Sequence, residues 1–235
     1  MAVLQGMRLG ASELYYSVDF NSPLNQPGQP PATGTGSQTP SSIVFGSPEV
    51  VGSFGHLIDQ PLLFRGIDYQ QLRFDLGRRA PDYFLDFDFE THNLNPSLFA
   101  FMLLFDGPLT ENFYLHGSGS IGVPPANSTH LPGWTDDEPH HIHIGVDLKA
   151  GSWTFQLDDR SPATGPFQSD SGDIQSIRMN LSSWRMSTPN DPSVEVAVDN
   201  IVIGSLVPEP TSLDLFAIGF GSLLLLRRRK RGDMD

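Results

Sequence analysis

The stretch "HIHIGVDLKAGSWTFQLDD", residues 141–159, decides the fold. Ile142, Ile144, Val146 and Leu148 alternate with His141, His143 and Asp147, and after a short interval Trp153, Phe155 and Leu157 alternate again. A period of two belongs to strands, whose successive side chains point to opposite faces. Between the two runs lies only "LKAG", which reads as a tight connection with Gly151 free to adopt positive φ. Two strands joined this way pair antiparallel, and each has one apolar face to bury.

The same signal recurs outward from this hairpin. "YFLDFDFE" (83–90) sets Phe84, Asp86, Asp88 and Glu90 on one face and Tyr83, Leu85, Phe87 and Phe89 on the other. "VEVAVDNIVIG" (194–204) aligns Val194, Val196 and Val198, then brings in Ile201 and Ile203 past Asp199-Asn200. Further strands are predicted at 14–20, 43–51, 62–65, 70–76, 98–105, 112–116 and 174–181. Strands with one apolar face each pack most economically as two sheets face to face, so an all-β antiparallel sandwich is expected over 14–205. Segment 21–42, rich in Pro, Gly, Ser, Thr and Gln, reads as a polar extended loop or poorly ordered connector.

Composition agrees. The chain has 235 residues, with 23 Gly and 20 Pro, a balance that favours turns over helices. With no cysteine, a disulfide scaffold, a zinc-thiolate site and a thiol nucleophile are excluded. The net charge is −13, and residues 227–235 carry five Lys/Arg against two Asp, so the rest of the chain stands at −16. Such a surface repels phosphate backbones and argues against nucleic-acid binding.

The hairpin ending in Leu-Asp-Asp resembles that of laminin-G-like and concanavalin-like jelly-roll domains. "VEVAVDNIVIG" is similar to their closing strand, with which an opening strand such as "YYSVDFNSP" pairs there. The resemblance implies a jelly roll, and in such modules a structural calcium often sits near the first and last strands. Asp19 and Asp199 are the pair this implies. Asp86, Asp88 and Glu90 in "DFDFE" resemble loosely the carboxylate strand of jelly-roll glycosidases, although Asp86 stands where a Glu nucleophile is expected. An amphipathic strand showing acids to water explains the same residues, and no enzyme is expected. His141 and His143 share a strand face beside His140, a pattern that suits a metal pair but equally a solvated face. Trp134 and Trp184, in Gly-, Pro- and Ser-rich surroundings, are candidates for stacking on sugar rings, whereas Trp153 reads as core.

The chain closes with "VPEPTSLDLFAIGFGSLLLLRRRKR", residues 207–231. The apolar run holds Leu213, Leu215, Phe216, Ile218, Phe220 and Leu223, Leu224, Leu225, Leu226, about 21 Å of helix against a hydrocarbon core of about 30 Å. Arg227, Arg228, Arg229, Lys230 and Arg231 form a basic stop after it. Val207, Pro208, Glu209 and Pro210, then the apolar segment, then the basic cluster resemble the PEP-CTERM sorting signal of Gram-negative bacteria. That resemblance implies recognition by an exosortase, a temporary hold in the inner membrane through a short helix within 206–231, and delivery to the cell surface or beyond, commonly in bacteria that make exopolysaccharide or biofilm. Segment 1–13 shows no apolar stretch of signal-peptide type, so the true start is expected upstream. The reading is an exported surface or matrix protein in a structural or adhesive role. A carbohydrate-binding module acting on exopolysaccharide is the first alternative, and a glycoside hydrolase the second. No cofactor is expected beyond the calcium just named.

Overall fold

The computed structural model describes residues 12–21, 23–34, 37–66, 69–77, 80–94, 99–106, 111–116, 120–124, 129–131, 133–167, 174–183 and 191–206. Its strands are β1 (Ser12–Val18), β2 (Ser42–Phe45), β3 (Glu49–Val50), β4 (Leu62–Gly66), β5 (Gln70–Asp75), β6 (Asp82–His92), β7 (Phe99–Asp106) and β8 (Glu111–His116). There follow β9 (Ile121–Val123), β10 (Thr129–Leu131), β11 (His140–Asp147), β12 (Ser152–Leu157), β13 (Ala163–Pro166), β14 (Ser176–Ser183) and β15 (Asp191–Leu206). Leu14–Ser205 forms one compact unit. The sorting motif, apolar run and basic cluster lie outside the described residues. Among the described residues no helix is long and apolar enough to cross a membrane.

Two antiparallel sheets build this unit. One runs β13-β12-β11-β6-β15-β4-β3, with β1 also paired to β15, and the other runs β10-β9-β8-β7-β14-β5-β2. The predicted hairpin is β11–β12, with Ile144 opposite Phe155 and Val146 opposite Trp153. Gly151 closes it at φ 62°, and the Ala150 N–H donates to Asp147 Oδ1 at 2.8 Å. The opening strand pairs with the closing one, as the resemblance implied.

The sheets meet through aromatic side chains. Phe101 of β7 packs edge-on against Phe64 of β4, with centroids 5.4 Å apart, and Phe113 of β8 meets both Trp153 and Phe155 of β12. Burying each such ring contributes about 2–3 kcal/mol, which makes this seam the main reason the sheets stay together. The alternation along β15 changes phase where a bulge falls between Asp199 and Val202, with Asn200 at φ 52°. That extra residue lets Val194, Val196, Val198, Ile201 and Ile203 all reach the core despite the break in period.

Two expectations need correction. The run 43–51 is not one strand: β2 pairs with β5 in one sheet, whereas β3 pairs with β4 in the other. Gly46–Pro48 carry the chain across, which a hydrophobic pattern alone does not mark. Segment 21–42 is also tied down. The Gly28 N–H donates to the Val50 carbonyl and the Val50 N–H to the Gln29 carbonyl. The buried Asn25 accepts the Ala32 N–H through Oδ1 at 2.8 Å. Backbone hydrogen bonds and the Asn25 amide, together with the buried Pro31 and Pro40, fix the described part of this loop.

Candidate functional site

Two outward sheet faces carry polar side chains in numbers, and they differ in how well those side chains are satisfied. On the eight-stranded sheet, β6 and β11 place Asp88 opposite His141 and Asp86 opposite His143. His141 Nδ1 lies 2.7 Å from Asp88 Oδ1, and His143 Nδ1 lies 2.7 Å from Asp86 Oδ1. His141 Nε2 also approaches Asp86 at 3.5 Å. Hydrogen bonds to Asp86 and Asp88 push the His141 pKa up to about 9, so it is cationic at neutral pH. Burial alone would raise the pKa of Asp86 and Asp88, but the imidazoles, with Asn200 Nδ2 donating to Asp88 at 2.8 Å, hold both below the usual carboxylate range. This array is a hydrogen-bonded set of carboxylates and imidazoles. Among the described residues no three His, Asp or Glu side chains converge as a metal ligand set.

Glu90 shares that face but neither water nor a cleft. It is 3% exposed, because residues 51–60 fold over it, and its Oε2 accepts the His56 N–H at 2.7 Å. Gly55 (φ 51°) passes so close that a Cβ there would collide with Glu90 Oε1. The loop thus separates Glu90 from Asp86 and Asp88, whose carboxylates are engaged by imidazoles. Asp199, opposite Asp88 on β15, is also 3% exposed. Burial first, then the charges of Asp88, Asp19 and Asp59, push its pKa up to about 7. The Asp19–Asp199 pair is therefore brought within electrostatic reach, and Asp19 Oδ1 itself accepts the Asn21 N–H.

The tryptophan expectation fails for Trp134. It is 3% exposed and packs edge-on against Phe89, with centroids 6.4 Å apart. Its Gly- and Pro-rich flanks shape the loop without lifting the indole to the surface. Trp153 is core as read, with Nε1 donating to the Pro124 carbonyl. Trp184 lies outside the described residues. His140 is buried, bonded through Nδ1 to Asp158.

The outward face of the seven-stranded sheet is different. In β5 and β14, Leu72, Phe74, Ile177, Met179 and Leu181 point into the core. Alternation therefore turns Gln71, Arg73, Arg178 and Asn180 outward. Register sets Asn180 between Gln71 and Met102, and Arg178 between Arg73 and Leu104. On β8, Asn112 and Tyr114 face outward, Tyr114 opposite Met102 and Asn112 opposite Leu104. Two amide–phenol pairs flank this face: Gln71 Nε2 to Tyr69 Oη at 2.9 Å, and Asn112 Nδ2 to Tyr114 Oη at 3.1 Å. Tyr69 is 40% exposed.

Here the hydrogen-bond accounting does not close. Among the described residues, Gln71 Oε1, Asn112 Oδ1, Asn180 Oδ1 and Arg178 Nε are shielded from solvent and have no partner. Gln71 and Asn180 have 0% and 1% of their surface exposed. A buried polar atom left unpaired costs about 1–3 kcal/mol, and native proteins tolerate few of them. Exchanging amide oxygen and nitrogen in Gln71 or Asn112 only trades an orphan acceptor for an orphan donor. Both arginines have one carboxylate each, Arg178 Nη2 to Asp106 at 2.9 Å and Arg73 Nε to Asp75 at 2.6 Å. No motif announces these residues. Their only sequence signal is the polar phase of "QQLRF", "ENFY" and "SIRMNLS".

No family model matches the chain, and no curated protein matches it. Solved structures do. The carbohydrate recognition domain of Emp47p superposes with a TM-score of 0.50 at 9% identity, covering 83% of this chain and 98% of that one. The fold is a lectin-like jelly roll. The binding domain of botulinum neurotoxin serotype D gives 0.51 at 8% identity over 88% of this chain and 52% of its own. A sialidase gives 0.51 at 13% identity over 62% of this chain, which spans only 15% of that enzyme.

Proposed function

We propose that this chain is a carbohydrate-binding jelly-roll module, and that the outward face of the seven-stranded sheet holds the sugar. The observation that carries the reading is the set of orphan atoms on β5, β14 and β8. Among the described residues, three acceptors and one donor lack partners within this one face. A sugar hydroxyl offers one donor and two lone pairs, so a polyol satisfies both kinds at once. A bare carboxylate answers only the Arg178 N–H, and an ammonium only the amide oxygens. In the free protein, ordered water fills the same role and is displaced on binding. Tyr69, Met102 and Leu104 add the apolar and aromatic surface on which a sugar ring packs. The lectin-like fold supports the same reading.

The reading favours binding over hydrolysis, because Glu90 is sealed and Asp86 and Asp88 are engaged by imidazoles. The tail pattern at 207–231 supports export, exosortase sorting and surface display, which would place the module among exopolysaccharides. A glycan array probed with the purified chain tests the function. Binding is expected, and it is expected to be lost in a Gln71→Ala/Asn180→Ala variant that melts like the parent. Unchanged binding by that variant would remove the site from this face.

A further inference from the structure

Resting on that carbohydrate-binding reading, we infer that the ligand is the interior of a neutral glycan chain lying across the strands, not a single terminal sugar. The orphan atoms are spread over the sheet order β8-β7-β14-β5: Asn112 on β8, Arg178 and Asn180 on β14, Gln71 on β5. Three interstrand steps separate the first from the last, about 14 Å at the usual spacing. No single pyranose ring reaches both ends. Along the strands the same atoms occupy only neighbouring outward positions, with Arg178 and Asn180 two residues apart. The unmet hydrogen bonds therefore trace a line across the strands, stepping by one outward position between Asn112 and Gln71.

Between those ends β7 offers no hydrogen-bonding side chain at this level. Met102 and Leu104 stand there, half-buried, in register with Asn180 and Arg178 on one side and with Tyr114 and Asn112 on the other. A saccharide chain crossing the face would meet polar, apolar and polar ground in turn, which matches hydroxyl edges and flat ring faces of successive units. Met102 stands directly opposite Asn180 and is half-buried, so a change of its rotamer, a fast and inexpensive motion, alters access to that amide.

Charge points to a neutral chain. Arg73 and Arg178 sit directly opposite one another, and each has its own aspartate, Asp75 and Asp106. No cation of these pairs is left over for a polyanion, and the −13 chain repels one at long range.

The test is calorimetric titration of the full chain with mono-, tri- and hexasaccharides of neutral glucans in several linkages, and with polygalacturonate, at low and high salt. Affinity is expected to rise at least tenfold from mono- to trisaccharide in the preferred linkage and to be insensitive to salt. Asn112→Ala and Gln71→Ala, at opposite ends, should each weaken the trisaccharide several-fold, with circular dichroism melts confirming that both variants fold. A monosaccharide that binds as tightly as the hexasaccharide, or binding confined to polygalacturonate, would overturn this inference and leave the module reading standing. If no saccharide of either kind binds, both fall.

Discussion

Replacing Asp199 by asparagine tests how the outward face of the eight-stranded sheet is held together. Asp199 is 3% exposed, and its pKa rises from 3.8 to about 7 because burial and neighbouring carboxylates disfavour its charge. Between those two values the folded protein keeps a proton that the unfolded chain has released. Stability therefore falls as pH rises through this window and is flat above it. Three pKa units correspond to about 4 kcal/mol, an upper figure for a group beside a half-exposed carboxylate. The amide that Asp199→Asn introduces cannot titrate. Its oxygen can still accept the Asn200 N–H, which Asp199 Oδ1 accepts at 2.8 Å. The variant should match the parent near pH 4 and exceed it by about 2–4 kcal/mol near pH 8. Urea unfolding at a series of pH values, with unchanged slope, reads this directly. A stability difference independent of pH, or a parent more stable than the variant at pH 8, would show that Asp199 is not held protonated by burial. His141 shifts the other edge of the range: its raised pKa contributes stability that is complete below about pH 6.5 and lost as pH rises through about 9.

Other substitutions report on packing and on the orphan atoms. Trp134→Ala should destabilise by about 3–5 kcal/mol, as a core deletion does, whereas a surface-stacking indole would cost little in a thermal melt. Gly55→Ala should lower the melting temperature through the contact with Glu90 and the positive φ, and an added Glu90→Ala should recover part of the loss. Asn180→Leu should raise stability by about 1 kcal/mol by removing an unpaired buried acceptor, while abolishing glycan binding. Saturating calcium tests the Asp19–Asp199 expectation at pH 8: a rise in melting temperature of several degrees that Asp199→Asn removes would support it, and an unchanged melt would remove it.

Period-two alternation carried most of the fold. The β11–β12 hairpin and the two faces of β6 were legible, because each follows from burying one face of a strand. The pairing of first and last strands came instead from their likeness to the ends of jelly-roll domains. The break between β2 and β3 was hidden, since a corner of Gly46, Ser47 and Pro48 joins two apolar runs that read as one. Burial on the outward face was equally hidden. Glu90 reads as a solvated acid until residues 51–60 cover it, and Trp134 reads as exposed because its loop is rich in Gly and Pro. The amides of the seven-stranded sheet gave no motif, for their significance lies in partners that are missing, which only the register and the packing disclose.

The most direct test of a sugar-binding seven-stranded sheet is to watch the side-chain amides themselves. In an NMR titration with the tightest-binding neutral oligosaccharide, the resonances of Gln71, Asn112 and Asn180 should shift together and saturate with one affinity, while Asn200 on the other sheet stays still. Shifts confined to Asn200, or a saturable interaction that leaves Gln71 and Asn180 unmoved, would contradict the account.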